Sequence, residues 1–288
     1  MWKSLFGGLV VLLAVYLALF GRKKQYNPDD VKGLRVVVTG GSSGIGEQIA
    51  YKFASMGAKL HVSARRESKL IDVTAHAKDV GAQEAHYFVA SLSSYINASL
   101  LIQDAMQKLG GIDVLILNHF TSPYVGFYRH EAKDIEQLFM TNMLTHAHLA
   151  SAAMETLKEN KGRIAATSSA VAFFGSPYTI PYTTTKCALV GFFQSLDHEL
   201  TINKTDVSVS LVHLGYIGTK SSSVIQDKIK HKPASKVECA AEMVRGIMMR
   251  EREVYFPASV SWVPLFQALF PDYISNQVQQ TYRDNAFS

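Results

Sequence analysis

The chain has 288 residues, 48% apolar or aromatic and 18% charged, a balance that gives a sizeable core and excludes disorder, collagen and coiled coil. Its formal charge of +5 comes from 29 basic and 24 acidic side chains, but Lys3, Arg22, Lys23 and Lys24 fall in the first 24 positions, which hold no acid. The remainder, 25 basic against 24 acidic, is near neutral, so a basic groove for DNA or RNA is not expected.

Between Lys3 and Arg22 run 18 uncharged residues, Ser4 to Gly21. At a helical rise of ~1.5 Å per residue they reach about 27 Å, just enough to cross a bilayer. Positions 1–24 therefore read as an N-terminal membrane anchor. A cleaved signal segment is the competing reading, but Tyr16, Leu19 and Phe20 occupy the places where small residues would permit cleavage. The basic stop at Arg22 to Lys24 argues against a buried soluble helix. Asn27-Pro28-Asp29-Asp30 marks a linker over 25–33.

Short β-branched runs then alternate with helical spacing over 34–257. Strands are expected at Leu34 to Thr39, Lys59 to Ala64, His86 to Ala90, Asp113 to Asn118, Arg163 to Ser168, Val207 to Leu214 and Glu253 to Phe256. Helices are expected at Gly46 to Met56, Ile135 to Leu157 and Tyr182 to Leu200, among others. Strands without a polar face, alternating with helices, mean a parallel sheet covered on both sides: one Rossmann-type, doubly wound α/β domain of seven strands. Beyond it, 258–288 forms a C-terminal extension in which Trp262, Val263, Leu265, Phe266, Leu269, Phe270 and Tyr273 keep a helix-like spacing. That face suits the core, a sister subunit or a membrane interface. Cys187 and Cys239 are the only cysteines, which excludes a disulfide framework; no histidine has metal-ligand spacing, so no metal is expected.

The first strand leads into Thr39-Gly40-Gly41-Ser42-Ser43-Gly44-Ile45-Gly46 and then a helix. Glycines there let the backbone approach a pyrophosphate, whose charge meets amides at the helix N-terminus. About 20 residues on, where an NAD site places an acid, the sequence reads Ser63-Ala64-Arg65-Arg66. Two guanidiniums before any carboxylate point to the 2′-phosphate of NADP(H).

Tyr182 and Lys186, at i and i+4 of a helix, face the same way about 6 Å apart. Ser169 stands 13 residues earlier at a strand end, where ligand crevices form in such sheets. With the glycine loop, Asn142, Ser169, Tyr182 and Lys186, the sequence resembles the short-chain dehydrogenase/reductase superfamily. More narrowly it is similar to the 11β-hydroxysteroid dehydrogenase type 1 group, through Leu115-Ile116-Leu117-Asn118-His119, Leu214-Gly215-Tyr216-Ile217-Gly218-Thr219 and the N-terminal apolar run. It departs from that group at Ser43, where the type 1 enzyme has a lysine, and at Ser176, in place of a substrate-lining tyrosine, with Tyr178 nearby.

The resemblance implies an NADP(H)-dependent enzyme interconverting a hydroxyl and a ketone on a hydrophobic substrate, a hydroxysteroid first and a retinoid or keto-lipid second. A catalytically silent NADP-binding membrane protein is the reading from another class, and the complete Ser169, Tyr182 and Lys186 set argues against it. Tyr182 is the expected proton donor, its phenol lowered by Lys186 and by the oxidised nicotinamide. Lys186 also holds the nicotinamide ribose, and Ser169 hydrogen-bonds the substrate oxygen. By resemblance Asn142 holds a water linking Lys186 to solvent. Ser91 and Leu92 border the adenine, Asn118, His119 and Phe120 line the cofactor cleft, and Ile217 and Thr219 contact the carboxamide. His146 and His148 read as ordinary helix residues.

Gly215 to Pro233 is a long polar connection, the candidate substrate-covering segment. Phe127, Phe173, Phe174 and Tyr178 are candidate apolar walls. A homodimer at the endoplasmic reticulum membrane is expected, or a secreted protein if the leader is cleaved. The flanking charges favour a cytosolic domain, whereas the type 1 relatives face the lumen, where Asn97-Ala98-Ser99 and Asn203-Lys204-Thr205 would be glycosylation acceptors; the side stays open.

Overall fold

Seven short strands pair in parallel into one sheet of order β3-β2-β1-β4-β5-β6-β7. They are β1 (Arg35–Thr39), β2 (Lys59–Ala64), β3 (Glu84–Val89), β4 (Val114–Leu117), β5 (Arg163–Ser169), β6 (Ser208–Leu214) and β7 (Glu253–Phe256). The computed structural model describes residues 24–121, 125–127 and 131–282, together with Gly8. The expected N-terminal anchor, apart from Gly8 and Lys24, lies outside the described residues. Among the described residues no helix is long and apolar enough to cross a membrane.

Strand alternation divides the core in two. Val36, Val38, Val114 and Ile116 join one apolar cluster, while Val37, Leu115 and Leu117 join the other. Both faces of the sheet must therefore be covered. On the first lie α1 (Gly44–Ala54), α2 (Glu67–Asp79) and α8 (Lys236–Met248); on the second lie α3 (Tyr95–Leu109), α5 (Thr145–Ala152) and α7 (Ile180–Ile202). Local chemistry sets several ends. Gly110 stops α3 in the left-handed region at φ 73°, Pro181 opens α7 where a missing N–H costs nothing, and Ser235 caps α8 by accepting from Glu238 N.

The helix expected over 135–157 is interrupted. It consists of α4 (Ala132–Phe139), a π turn (Met140–Leu144), α5 and α6 (Met154–Glu159). The extra residue in the π turn accompanies a fully buried Asn142, a geometry that apolar periodicity does not register. β3 starts two residues early, because Glu84 pairs with Lys59 at 2.6 Å across the strand register. The C-terminal run breaks too: α9 (Val263–Leu269) ends before Phe270, and Pro271, which has no N–H to continue it, opens α10 (Pro271–Thr281). The stretch 25–33 is packed down, with Val31 fully buried, Tyr26 Oη donating to Met56 Sδ at 3.3 Å and Arg245 donating to Lys24 O at 3.1 Å.

Candidate active site

A cavity of about 1350 Å³ opens at the carboxyl ends of the strands. Nearly every residue expected at the site lines it. The glycine loop contributes Gly40, Ser42, Ser43, Gly44 and Ile45. Gly40 has φ +68°, and a Cβ there would lie 2.8 Å from His119 Cα, so only glycine lets the loop pass under the β4 end. Gly46 lies behind the wall: a Cβ would meet Gly40 O at 2.5 Å and Asn118 Nδ2 at 2.7 Å, which is why α1 can pack this close to the strand end. The first-turn amides of α1 have no intrahelical acceptor and face this loop.

Arg65 and Arg66 both line the cavity. Arg66 Nη2 donates to Ser43 Oγ at 3.0 Å and to Ser42 Oγ at 3.3 Å, which places its guanidinium over the glycine loop. Ser91 and Leu92 follow β3, held where Asn97 Nδ2 donates to Ser91 O at 2.9 Å. Asn118, His119 and Phe120 follow β4; Asn118 N donates to Thr39 Oγ1 at 2.9 Å. Ile217 and Thr219 open the connection after β6, where Ser222 Oγ donates to Ile217 O at 2.6 Å and accepts from Thr219 N at 3.0 Å.

Ser169 ends β5 and Tyr182 and Lys186 lie on α7, all on the same cavity. Lys186 is buried and donates from Nζ to Thr167 O at 2.7 Å, with Nζ 5.5 Å from the Tyr182 ring centre. Ser169 Oγ donates to Leu214 O at 3.3 Å. Burial pushes the Tyr182 phenol up to about 12, with a hydrogen bond from Ser169 acting the other way. Burial also lowers the Lys186 ammonium to about 7. In the protein's own groups burial of the phenol outweighs Ser169, and the Lys186 ammonium, expected to act on it together with the oxidised nicotinamide, is itself desolvated and engaged by Thr167. Proton donation is the role such a phenol suits at neutral pH.

That desolvation has a measurable consequence. Between about 7 and the ordinary lysine value of 10.5 the unfolded chain binds a proton that folded Lys186 does not, so stability rises with pH across this window, the reverse of a lysine that gains a carboxylate partner. In urea unfolding of the cofactor-free chain, the wild type should gain more stability from about pH 7 to about pH 10 than Lys186→Met. Equal gains would contradict the burial origin of the shift.

Asn142 is held by the loop after β4. Its Oδ1 accepts from Thr121 N at 2.7 Å and its Nδ2 donates to Thr121 O at 3.0 Å, so its side chain clasps the loop after β4 and does not line the cavity. His146 is also no ordinary helix residue: it is fully buried and donates from Nε2 to His119 O at 2.8 Å. His148 reaches Ser99 Oγ at 2.8 Å. Of the four proposed apolar walls only Phe174 lines the cavity. Phe173 packs on His213 and Tyr255, Tyr178 on Tyr282, and Phe127 is exposed.

The connection after β6 does cover the site, with Tyr216, Ile225 and Ile229 on the cavity. What the sequence reading missed is the C-terminal contribution: Val263, Ile274, Val278 and Tyr282 also line it. The two segments are joined where Ile229 bridges Tyr282 and Lys230 N donates to Thr281 O at 3.0 Å. Among the described residues no cluster of His, Cys, Asp and Glu could hold a metal ion.

Residues 35–230 match the family described as short chain dehydrogenase. The chain belongs to the short-chain dehydrogenase family. It is thereby an oxidoreductase of the class acting on CH–OH groups. It is 38% identical over 240 residues to Hydroxysteroid 11-beta-dehydrogenase 1-like protein A of Xenopus laevis, covering 83% of this chain and 82% of that one. The corresponding 1-like protein of Gallus gallus is 37% identical over 246 residues, with 85% of each chain covered. Among solved structures, a short chain dehydrogenase/reductase from Burkholderia phymatum in complex with NAD superposes with a TM-score of 0.75 at 21% identity, over 86% of this chain and 96% of that chain. One from Burkholderia cenocepacia in complex with NADP gives 0.71 at 22%, over 80% and 99%. These two attest the fold.

Proposed function

We propose that this short-chain dehydrogenase is an NADP(H)-dependent oxidoreductase that interconverts a hydroxyl and a ketone on a hydroxysteroid. The observation that carries the reading is one cavity lined at once by Ser169, Tyr182 and Lys186, by Arg66 over the glycine loop, and by apolar side chains such as Phe174, Ile225, Ile274 and Val278. The residues fit such a cofactor, since Gly44 lines the cavity at φ +67°, where a Cβ would stand 3.4 Å from Thr219 Cγ2 and narrow the cradle. The names of the relatives support a steroid-type substrate.

When bound, the nicotinamide supplies or accepts the hydride. The α1 amides and glycine backbone would hold the pyrophosphate, Arg65 and Arg66 would pair with the 2′-phosphate, and Lys186 would hold the nicotinamide ribose. In reduction, Ser169 Oγ donates a hydrogen bond to the substrate carbonyl oxygen and stabilises the charge that develops there. Tyr182 gives its proton to the resulting alkoxide, leaving a phenolate that Lys186 and the Ser169 hydroxyl stabilise. Oxidation is the reverse.

A water-insoluble substrate agrees with attachment to the endoplasmic reticulum membrane through the N-terminal run and with a homodimeric assembly presenting the same face to lipid. The exposed Leu265, Leu269, Phe270 and Tyr273 of the C-terminal extension support contact with the bilayer interface. Purified full-length protein in detergent, given NADPH and matched ketosteroid, retinal and keto-lipid panels, tests the substrate class. Faster turnover of ketosteroids is expected, and a preference for retinal or keto-lipids would replace the steroid assignment while keeping the chemistry.

A further inference from the structure

The ring of His119 is buried beneath the cavity and has no part in the proton and hydride steps above. Its Nδ1 lies 2.8 Å from Thr39 Oγ1 and its Nε2 3.1 Å from Thr145 Oγ1. The donors can be assigned. Thr145 Oγ1 has Leu92 O at 3.0 Å and Thr141 O at 3.1 Å to receive its own proton, so towards the ring it accepts and Nε2 carries the hydrogen. Neutral, the ring then presents Nδ1 as an acceptor to Thr39 Oγ1, whose one proton is shared with Ile116 O at 3.1 Å and whose lone pairs serve Asn118 N and His119 N. Burial and the nearby Lys186 charge hold the imidazole pKa down to about 3, which keeps one neutral tautomer across the working range.

This single ring ties three elements together: the end of β1 at Thr39, the segment after β4, and the start of α5 at Thr145. His146 adds a second tie through its bond to His119 O, with the two rings 4.0 Å apart. Asn142 makes the third by clasping Thr121 on both sides. Between these ties stands Phe120, its ring centre 6.3 Å from that of Tyr182 and 6.0 Å from Lys186 Nζ. The ties on either side of Phe120 run through the buried His119, Thr145, His146 and Asn142, and the two groups beside its ring are the proton donor and its cation.

We propose that His119 is a positioning residue for the reaction centre: by bridging Thr39 to Thr145 it holds the 118–121 segment so that Phe120 packs Tyr182 and Lys186 into their working geometry. The proposal rests on the oxidoreductase reading above. It assigns to the Leu-Asn-His-Phe sequence a function in the chemical step as distinct from cofactor affinity, because both ring nitrogens are engaged by the buried hydroxyls of Thr39 and Thr145.

The test compares His119→Ala and His119→Gln in the full-length protein. Glutamine can accept from Thr39 through Oε1 and donate to Thr145 through Nε2, the same order of roles as the ring. With NADPH and the best carbonyl substrate, kcat of His119→Ala should fall by about 10²-fold, as a displacement of about 1 Å in reacting groups does. NADPH affinity by fluorescence should stay within about threefold, and His119→Gln should recover kcat to within about fivefold of wild type. Unchanged kcat in folded His119→Ala overturns the proposal. So does a loss shared equally by Ala and Gln that follows thermal stability alone. Should His119→Ala fail to fold, Thr145→Val removes the acceptor with little change of shape and should lower kcat in the same way; an unchanged kcat there is equally fatal. An inactive wild type would overturn the oxidoreductase reading and this one with it, whereas an active wild type with an equally active His119→Ala counts against His119 alone.

Discussion

Tyr182→Phe is expected to lower kcat for ketone reduction by about 10³-fold, the range seen when a positioned general acid is removed, with NADPH affinity changed by less than about twofold. Phenylalanine keeps the ring that packs beside Phe120 and Lys186, so the cavity wall survives and only the hydroxyl is lost. That hydroxyl is the group whose pKa burial raises to about 12: it is protonated at any physiological pH, and it gives up its proton to a base as strong as the alkoxide that forms beside it. Single-turnover kinetics with saturating NADPH separate the chemical step from release. A variant that turns over at the wild-type rate would remove Tyr182 from the mechanism.

Changing both arginines, Arg65→Ala with Arg66→Ala, should weaken NADPH binding by about 10²-fold while NADH binding moves by less than about threefold. The estimate follows from charge-assisted hydrogen bonds worth about 1.5–3 kcal/mol in net terms when their donors are removed. Arg66 is the larger contributor. Its guanidinium already rests on Ser42 and Ser43, so part of the ordering cost of meeting a 2′-phosphate is met before binding. No carboxylate competes for the ribose at the end of β2, the first acid being Glu67 at the start of α2. Nucleotide affinities from fluorescence titration decide the matter, and equal loss for NADPH and NADH would refute the 2′-phosphate assignment.

The sheet was legible because its strands obey one rule. Lys59–Ala64 and Glu253–Phe256 have the ends that β-branched content alone suggests, and the β1 glycine loop and the Tyr182–Lys186 spacing place the cavity without any tertiary information. Legibility failed where a polar group is satisfied by a partner far along the chain. The amide of Asn142 is engaged at both ends by Thr121, 21 residues earlier, a pairing that no spacing announces. His119 and His146 carry no sequence signal of burial, since their partners are the side chain of Thr39, the side chain of Thr145 and a backbone carbonyl. The C-terminal aromatic run reads as a uniform helix face, yet of that run only Val263 reaches the cavity, and the rest of the wall comes from α10, beyond the Phe270-Pro271 break, and from Tyr282, whose Oη meets Ser176 Oγ at 3.0 Å across more than a hundred residues. The signal that could have directed attention there is Pro271 itself, which ends one helix and aims the next back over the site.

The central claim is that a hydride passes between a nicotinamide and a hydrophobic carbonyl held by Ser169 and Tyr182. It is tested most directly by giving the full-length protein NADPH deuterated at the transferable C4 position, together with a ketosteroid, and examining the product by mass spectrometry and NMR. Deuterium on the new carbinol carbon, introduced on one face only and absent with Tyr182→Phe, is the predicted result. NADPH that binds but never delivers its label to a steroid, retinoid or keto-lipid carbonyl would contradict it.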